Sequence, residues 1–271
     1  MNSCKTPKFN NMKQSGDTFL GRVRSVKMVD GCGVMPTLYS ADKELEEWHS
    51  HEQASISLLV RGGHDEYLYG KYHKRQPGDL KFIPAGEVHR CDRYQPGTLK
   101  INLSFRPGIL AEHAEDRLDS LLSTKLNSKF LLLQLYHALE DPAVETQASA
   151  QLLLTALLHP EGKREGYTPA WVMQLKELLQ DEWSACYDLG ELSQKVGVHP
   201  VTISRYFPVY FSTTLGEYMC KLKIERALPL LGDGKLSLTD IAYQCGFADH
   251  AHFTRTFKAV TGYLPKQFRK I

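Results

Sequence analysis

Ile241-Ala242-Tyr243-Gln244-Cys245-Gly246-Phe247, followed by Phe253-Thr254-Arg255-Thr256-Phe257, has an earlier counterpart in the same chain. The counterpart is Leu192-Ser193-Gln194-Lys195-Val196-Gly197-Val198, followed by Ile203-Ser204-Arg205-Tyr206-Phe207. The copies keep register through the glycine. From the arginine onward they are one residue further apart, because the second has an extra residue in its turn. Apolar residues at helical spacing flank each glycine, so each copy reads as helix, turn, helix. A single unit of this kind is common as a plain αα-hairpin. Two units with matched glycine, arginine and phenylalanine are the sequence form of paired helix-turn-helix units, whose second helices enter the DNA major groove.

Local chemistry sets the expected boundaries. Asp188 is placed to cap a helix ending near Lys195, Gly197 supplies a left-handed turn, and His199-Pro200 opens the next helix. Ile203, Tyr206, Phe207 and Tyr210 form one apolar stripe, leaving Val201, Thr202, Ser204 and Arg205 to meet bases or phosphates. In the second unit Ser237 or Thr239 begins the helix, Gly246 turns it and Asp249 caps the next. Phe253, Phe257 and Val260 are expected to face inward, and His250, Ala251, Thr254 and Arg255 to face DNA. Arginine binds guanine bidentately in the major groove, which is why its position in both copies matters.

The run Ile241-Ala242-x-x-Cys245-Gly246-Phe247-x-Asp249-x-x-x-Phe253-x-Arg255-x-Phe257-Lys258-x-x-x-Gly262-x-x-Pro265-x-x-Phe268-Arg269 resembles the DNA-binding domain of the AraC/XylS family of bacterial transcription regulators. The resemblance implies seven helices. It also implies a long helix over 215–231 joining the two units, and recognition helices over 199–210 and 249–261 in neighbouring groove segments. The first copy departs from the pattern: Pro208 stands where lysine is usual and Ser212 where glycine is usual. Pro208 is expected to end or kink its helix. Pro229 falls near the end of the joining helix, where the family seldom has proline.

Residues 20–105 read differently. Short alternating or apolar runs at 55–60, 64–72, 79–84 and 99–105 are separated by Arg61-Gly62-Gly63, Gln76-Pro77-Gly78, Ala85-Gly86 and Gln95-Pro96-Gly97. Such spacing suggests a β-barrel or sandwich, with Gly62-Gly63 as a hairpin turn. From about residue 108 the period becomes helical, over 109–122, 127–139 and 144–158, with a break at Asp141-Pro142. A Gly-, Pro- and charge-rich stretch, 159–169, reads as a linker.

His49-Ser50-His51, followed by Gly78, Pro84, Gly86 and His89, is the second constellation. Histidines at i and i+2 share one face of a strand, and a third from a neighbouring strand can complete a facial triad. The spacing resembles the two motifs of the cupin superfamily and the cupin-like sensor barrels of AraC-type regulators. Catalytic cupins carry a glutamate where this chain has Ser55 and Ile56, and often an asparagine where it has Arg93. A structural role, a ligand contact or a metal held by His49, His51 and His89 all remain open. Trp48, Tyr67, Tyr69 and Tyr72 are more often core than ligand-stacking in a small barrel. On strand alternation, Lys100, Asn102 and Ser104 share one face, and Ile101, Leu103 and Phe105 the other.

The whole chain adds exclusions. With 33 Lys+Arg against 31 Asp+Glu, the net charge of +2 does not by itself announce a nucleic-acid binder. The end of the chain nevertheless carries Arg255, Lys258, Lys266, Arg269 and Lys270 with no acidic residue. The six cysteines are scattered without a Cys-x-x-Cys, and the polar first thirteen residues lack the apolar core of a signal peptide. No apolar run approaches the ~18–20 residues that span a bilayer. Reduced thiols, buried as small hydrophobes in the cytoplasm, are expected.

The expected architecture is α+β and multidomain. A cupin-like barrel occupies 1–108, a helical linker and dimerisation region 109–165, and an all-α double helix-turn-helix domain 166–271. The expected function is a DNA-binding transcription regulator, not an enzyme and without cofactor, controlled by a small molecule in the barrel. Its expected partners are double-stranded promoter DNA, the effector, RNA polymerase and a second copy of itself, with no membrane. Leu131, Leu135, Leu153 and Leu157 are expected in or near the self-association surface. A ligand-independent regulator with a scaffold barrel, and a metal-dependent cupin enzyme fused to a DNA-binding domain, are the alternatives.

Overall fold

The computed structural model describes residues 21–40, 47–106, 126–140, 144–158, 168–185 and 187–271, together with 13, 14 and 110. The helix expected over 109–122, the Asp141-Pro142 break, most of the 159–169 linker, and Cys4 and Cys186 lie outside the described residues. The chain forms two units, Met1–Ser120 and Leu121–Ile271.

The first unit is built of strands: β1 (Lys13–Gln14), β2 (Arg22–Val23), β3 (Lys27–Val29), β4 (Cys32–Tyr39), β5 (His49–Ser50), β6 (Ser55–Arg61), β7 (His64–Leu68), β8 (Lys71–Arg75), β9 (Leu80–Ile83), β10 (Arg90–Asp92) and β11 (Thr98–Phe105). One sheet runs β2-β4-β11-β6-β9 with β3 also on β4, and a second runs β10-β7-β8. Its central strand, β11, is buried along its whole length. Alternation divides it as the sequence suggests: Leu99, Ile101, Leu103 and Phe105 form a fully buried apolar row, and Lys100, Asn102 and Ser104 a polar one. The polar row is what gives this unit a hydrophilic interior.

Two turns show how backbone chemistry shapes the unit. Gly62-Gly63 is not a hairpin turn, because β6 pairs with β9 and β11 while β7 pairs with β8 and β10. It is a corner that carries the chain from one sheet to the other. Gly62 has φ +76°, and a Cβ there would sit 2.4 Å from Thr98 Oγ1. The following pair, β7–β8, does form a hairpin, turning on Tyr69 (φ 52°) and Gly70 (φ 69°). Two consecutive positive φ values match the right-handed twist of the strands. Tyr67, Tyr69 and Tyr72 flank this tip and are exposed, so the expectation that they are core is corrected. Trp48 is half-buried, edge-on to Tyr67 and under the Arg90 guanidinium.

The second unit is helical: α1 (Asn127–Glu140), α2 (Val144–Leu158), α3 (Ala170–Asp181), α4 (Leu189–Val196), α5 (Pro200–Phe211), α6 (Leu215–Asp233), α7 (Leu238–Gln244), α8 (His250–Thr261) and α9 (Pro265–Phe268). The last seven are the helices that the family resemblance implied, with α6 as the joining helix. Leu175, Leu179, Leu192, Val196, Ile203, Phe207, Tyr218 and Leu222 form the core around α4–α5. A chain of rings, Phe247–Phe253–Phe257–Phe268, forms the core around α7–α8.

Helix α1 packs against α8. Gln134 Nε2 donates to Val260 O at 2.8 Å, and Tyr263 Oη donates to Glu140 Oε2 at 3.0 Å. The His137 ring lies 4.3 Å from that of Tyr263, and Lys129 pairs with Glu225. Of the four leucines expected on a self-association surface, Leu135 and Leu157 are buried within the chain and Leu131 and Leu153 are half-buried; the neighbouring Leu152, not among the four, is 73% exposed. Cys32, Cys91 and Cys245 are buried free thiols. Among the described residues no helix is long and apolar enough to cross a membrane.

Candidate functional site

Helices α5 and α8, the second helices of the two helical pairs, are built alike from unlike residues. His199 caps α5, its Nδ1 accepting from Val201 N at 3.3 Å, and Pro200 occupies the first turn, where its missing N–H costs nothing. Asp249 caps α8, accepting from His252 N at 2.6 Å. That backbone donor, helped by Ala251 N–H and Arg255, holds the Asp249 carboxyl below the usual carboxylate range. Before each helix the turn glycine is left-handed: Gly197 has φ 69° and Gly246 φ 71°. Asp188 closes a full capping box on α4, and Ser237, not Thr239, caps α7.

With Ile203 and Phe207 buried in one helix, and Phe253 and Phe257 in the other, the opposite faces are left to solvent. Val201, Ser204, Arg205, His250, Ala251 and Arg255 are exposed, and Thr202 and Thr254 half-exposed. His250 Nε2 and Thr254 Oγ1 lie 3.4 Å apart, one helical turn from each other. Tyr206 belongs to this outer face, not to the buried stripe expected for it: it is 40% exposed and its ring lies 5.7 Å from the Arg205 guanidinium. Its position off the stripe follows from Ile203 and Phe207, four apart, which already define the buried direction. Lys223 of α6 reaches Gly246 O at 2.8 Å and so ties the joining helix to the second turn.

Pro208 does not end α5. The helix runs through it to Phe211, and Ser212 then terminates it in the left-handed conformation at φ 54°, its N–H bonded to Pro208 O. Phe207 and Phe211 stack at 4.1 Å across the proline and keep this last turn packed. Pro229 likewise lies inside α6, which continues to Asp233.

In the first unit, the sheet brings together the histidines that the spacing singled out. His49 and His89 exchange backbone hydrogen bonds at 3.0 and 2.9 Å. The rings of His49, His51 and His89 lie 4.3–5.1 Å apart, and one nitrogen from each lies within 4.8 Å of the others. All three are buried and line a cavity of about 310 Å³, counting its open mouth. Burial, with the neighbouring histidines, pushes His51 down to about 4 and His89 down to about 3, so both are neutral at pH 7. Three imidazoles so placed suit a divalent transition metal. Among the described residues the nearby carboxylates are otherwise placed: Glu52 is exposed, and Glu66 is held by Arg75 at 2.6 Å. Arg93, at the position where catalytic cupins often have asparagine, is exposed and paired outward with Asp65 at 2.8 Å.

The rest of the cavity wall was not singled out by motif. Ser57, Glu66, Cys91, Lys100 and Asn102 line it with the histidines. Burial raises the Glu66 carboxyl, but Arg75 and then Lys100 outweigh this and hold it at about 2. The signal for Lys100 and Asn102 was the alternation of β11. Glu66 and Arg75, on adjacent strands, had no sequence signal at all.

Residues 36–159 match the family model for an AraC-like ligand binding domain, and residues 192–271 match that for a helix-turn-helix domain. The chain belongs to the AraC/XylS family. Members of this family are transcription regulators with a ligand-binding and a DNA-binding domain, and this chain carries both. Among its relatives are the HTH-type transcriptional activators RhaR of Salmonella dublin and Salmonella arizonae. Each is 24% identical over 250 residues, covering 82% of this chain and 86% of the relative. Solved structures that align with it include ToxT from Vibrio cholerae, at 8% identity over 89% of this chain and 98% of that one, TM-score 0.37. The C-terminal domain of AraT from Geobacillus stearothermophilus aligns at 24% identity over 39% of this chain and 88% of that one, TM-score 0.36. Within the AraC/XylS pattern, the first helix-turn-helix unit of this chain is the divergent one, at Pro208 and Ser212.

Proposed function

We propose that this protein is an effector-controlled transcription activator. It binds promoter DNA as a homodimer through α5 and α8, contacts RNA polymerase, and works in the cytoplasm. Val201, Thr202, Ser204 and Arg205 face one segment of major groove, and His250, Ala251, Thr254 and Arg255 the next. The observation that carries this reading is the pair of side-chain-capped helices that each expose an arginine beside a buried aromatic core. The RhaR relatives are named as activators, which favours activation over repression. His49, His51 and His89 are assigned to effector binding.

A cavity with a polar wall supports effector control over a scaffold barrel. No catalytic role is assigned, because the relatives are regulators and, of the described carboxylates, Glu66 on the cavity wall is held by Arg75. A ligand shifts such a protein between states only through unequal affinity for them, so the effector must change the geometry in which α5 and α8 are presented.

The test is titration of the full chain with a promoter fragment recovered by genome-wide mapping of its bound sites. Arg205→Ala and Arg255→Ala should each weaken binding by roughly 1–3 kcal/mol if they contact bases bidentately. Normal binding by both variants overturns the recognition-helix assignment.

A further inference from the structure

Lys100 is 5% exposed and stands on the cavity wall. Its ammonium donates to Tyr94 Oη at 3.0 Å and to Cys91 Sγ at 3.8 Å, and lies 4.8 and 5.0 Å from the ring centres of Tyr39 and Tyr94. Hydroxyl, sulfur and ring faces solvate a cation, but none brings a full negative charge. The buried acids are otherwise engaged. Glu66 gives Oε2 to Arg75 at 2.6 Å and takes the Cys91 thiol on Oε1, and Asp65 is paired with Arg93. Among the described residues no carboxylate forms an ion pair with Lys100. The interior cluster of Glu66, Arg75 and Lys100 therefore holds one positive charge more than it balances. An uncompensated buried charge is costly to the protein, and a bound anion removes that cost.

The histidines of the same cavity present acceptors. His49 Nδ1 lies 2.9 Å from Glu47 O, and His89 Nδ1 lies 3.0 Å from Glu87 O. A carbonyl oxygen only accepts, so each Nδ1 carries the hydrogen. With the hydrogen on Nδ1, Nε2 is the acceptor of the neutral tautomer. One buried cation and two histidine acceptors thus line the same open-mouthed polar cavity.

Resting on the assignment of this cavity to the effector, we propose that the effector is a small hydroxylated carboxylate. Its carboxylate seats against Lys100 Nζ and its hydroxyl groups donate to Nε2 of His49 and His89. A neutral polyol would satisfy the histidines and leave the lysine charge unbalanced. A carboxylate without hydroxyls would leave the histidines unsatisfied.

The test is calorimetric titration of the full-length, EDTA-treated protein with matched acids and neutral analogues: galacturonate against galactose, gluconate against sorbitol, and lactate against 1,2-propanediol. At least one acid should bind and its neutral partner should not. Lys100→Met should weaken that acid roughly ten- to hundredfold, while the ligand-free variant melts no lower than the parent, because the unbalanced charge has gone. Ser57→Leu, which fills the cavity, should abolish binding. Neutral members binding as well as acids, with unchanged affinity in Lys100→Met and loss in Ser57→Leu, overturns the carboxylate and leaves the cavity assignment standing. Acid binding that survives Ser57→Leu overturns both. So does a panel in which nothing binds. Acid binding present only before EDTA treatment places the anion on a metal and overturns the role of Lys100.

Discussion

Gly262 and His137 meet where neither could tolerate a larger partner. A Cβ on Gly262 would lie 2.9 Å from His137 Cδ2, and Gly262 has φ +85°. The glycine thus ends α8 in the left-handed conformation and, in the same place, makes room for the ring that α1 lays on Tyr263. Gly262→Ala should cost about 1–2 kcal/mol for the backbone conformation alone, with the steric clash added to it. Urea melts of the full chain check this. In His137→Ala the same glycine substitution should cost only the backbone part, so the cycle isolates the helix-to-helix contact.

Ser212 poses the opposite case. It holds φ 54° at the end of α5 with no glycine to relieve it, and it is exposed. Ser212→Gly should stabilise the protein by roughly 0.5–1 kcal/mol, the left-handed penalty less the extra freedom gained by the unfolded chain. A lower melting temperature in the variant would contradict this.

The histidines make the sensor unit sensitive to acid. His51 and His89 titrate at about 4 and about 3 in the fold, against an ordinary value near 6.5. Between those limits the unfolded chain binds more protons than the folded one, so stability falls as pH falls. The loss should begin near pH 6.5 and continue to about pH 4 for His51 and about pH 3 for His89, at up to roughly 1.4 kcal/mol per pH unit for each. Glu66, held at about 2, contributes stability that is lost only as pH drops below the ordinary carboxylate range. Melting temperature measured from pH 7 to 5 isolates the histidines, and His51→Asn should flatten that slope.

Arg75 and Glu66 form an ion pair with both side chains about 1% exposed. Removing one partner should be severe, about 3–5 kcal/mol for Arg75→Met, because the Glu66 charge is left buried. The double variant Arg75→Met with Glu66→Gln should recover part of the loss. Denaturant melts of both single variants and the double measure the coupling.

The helix-turn-helix units were legible because their determinants are local. Asp188, Gly197, Asp249 and Gly246 act within four residues of themselves, so spacing alone placed the caps and turns. The histidine cluster was legible for a related reason: His49 and His51 share a strand face, and the Pro84–Gly86 turn returns His89 beside them. What joins distant strands left no such trace. Glu66 with Arg75, and Lys100 with Tyr94, depend on sheet order, which alternation does not encode. Gly62-Gly63 misled because glycines between strands mark a sheet-to-sheet corner as readily as a hairpin. Pro208 misled because a proline in the last turn of a helix disrupts little when stacked rings pack across it. The seating of α1 on α8 had no sequence signature.

That seating has a consequence for where the DNA-binding half of the chain can be cut. A fragment beginning at residue 166 would contain all seven helices implied by the family pattern. It would also strip Gln134 from Val260 O, Glu140 from Tyr263 and His137 from the hollow at Gly262. One beginning ahead of Asn127 would keep them. The shorter piece should fray first at the back of its second recognition helix, and its operator footprint should shrink from that side.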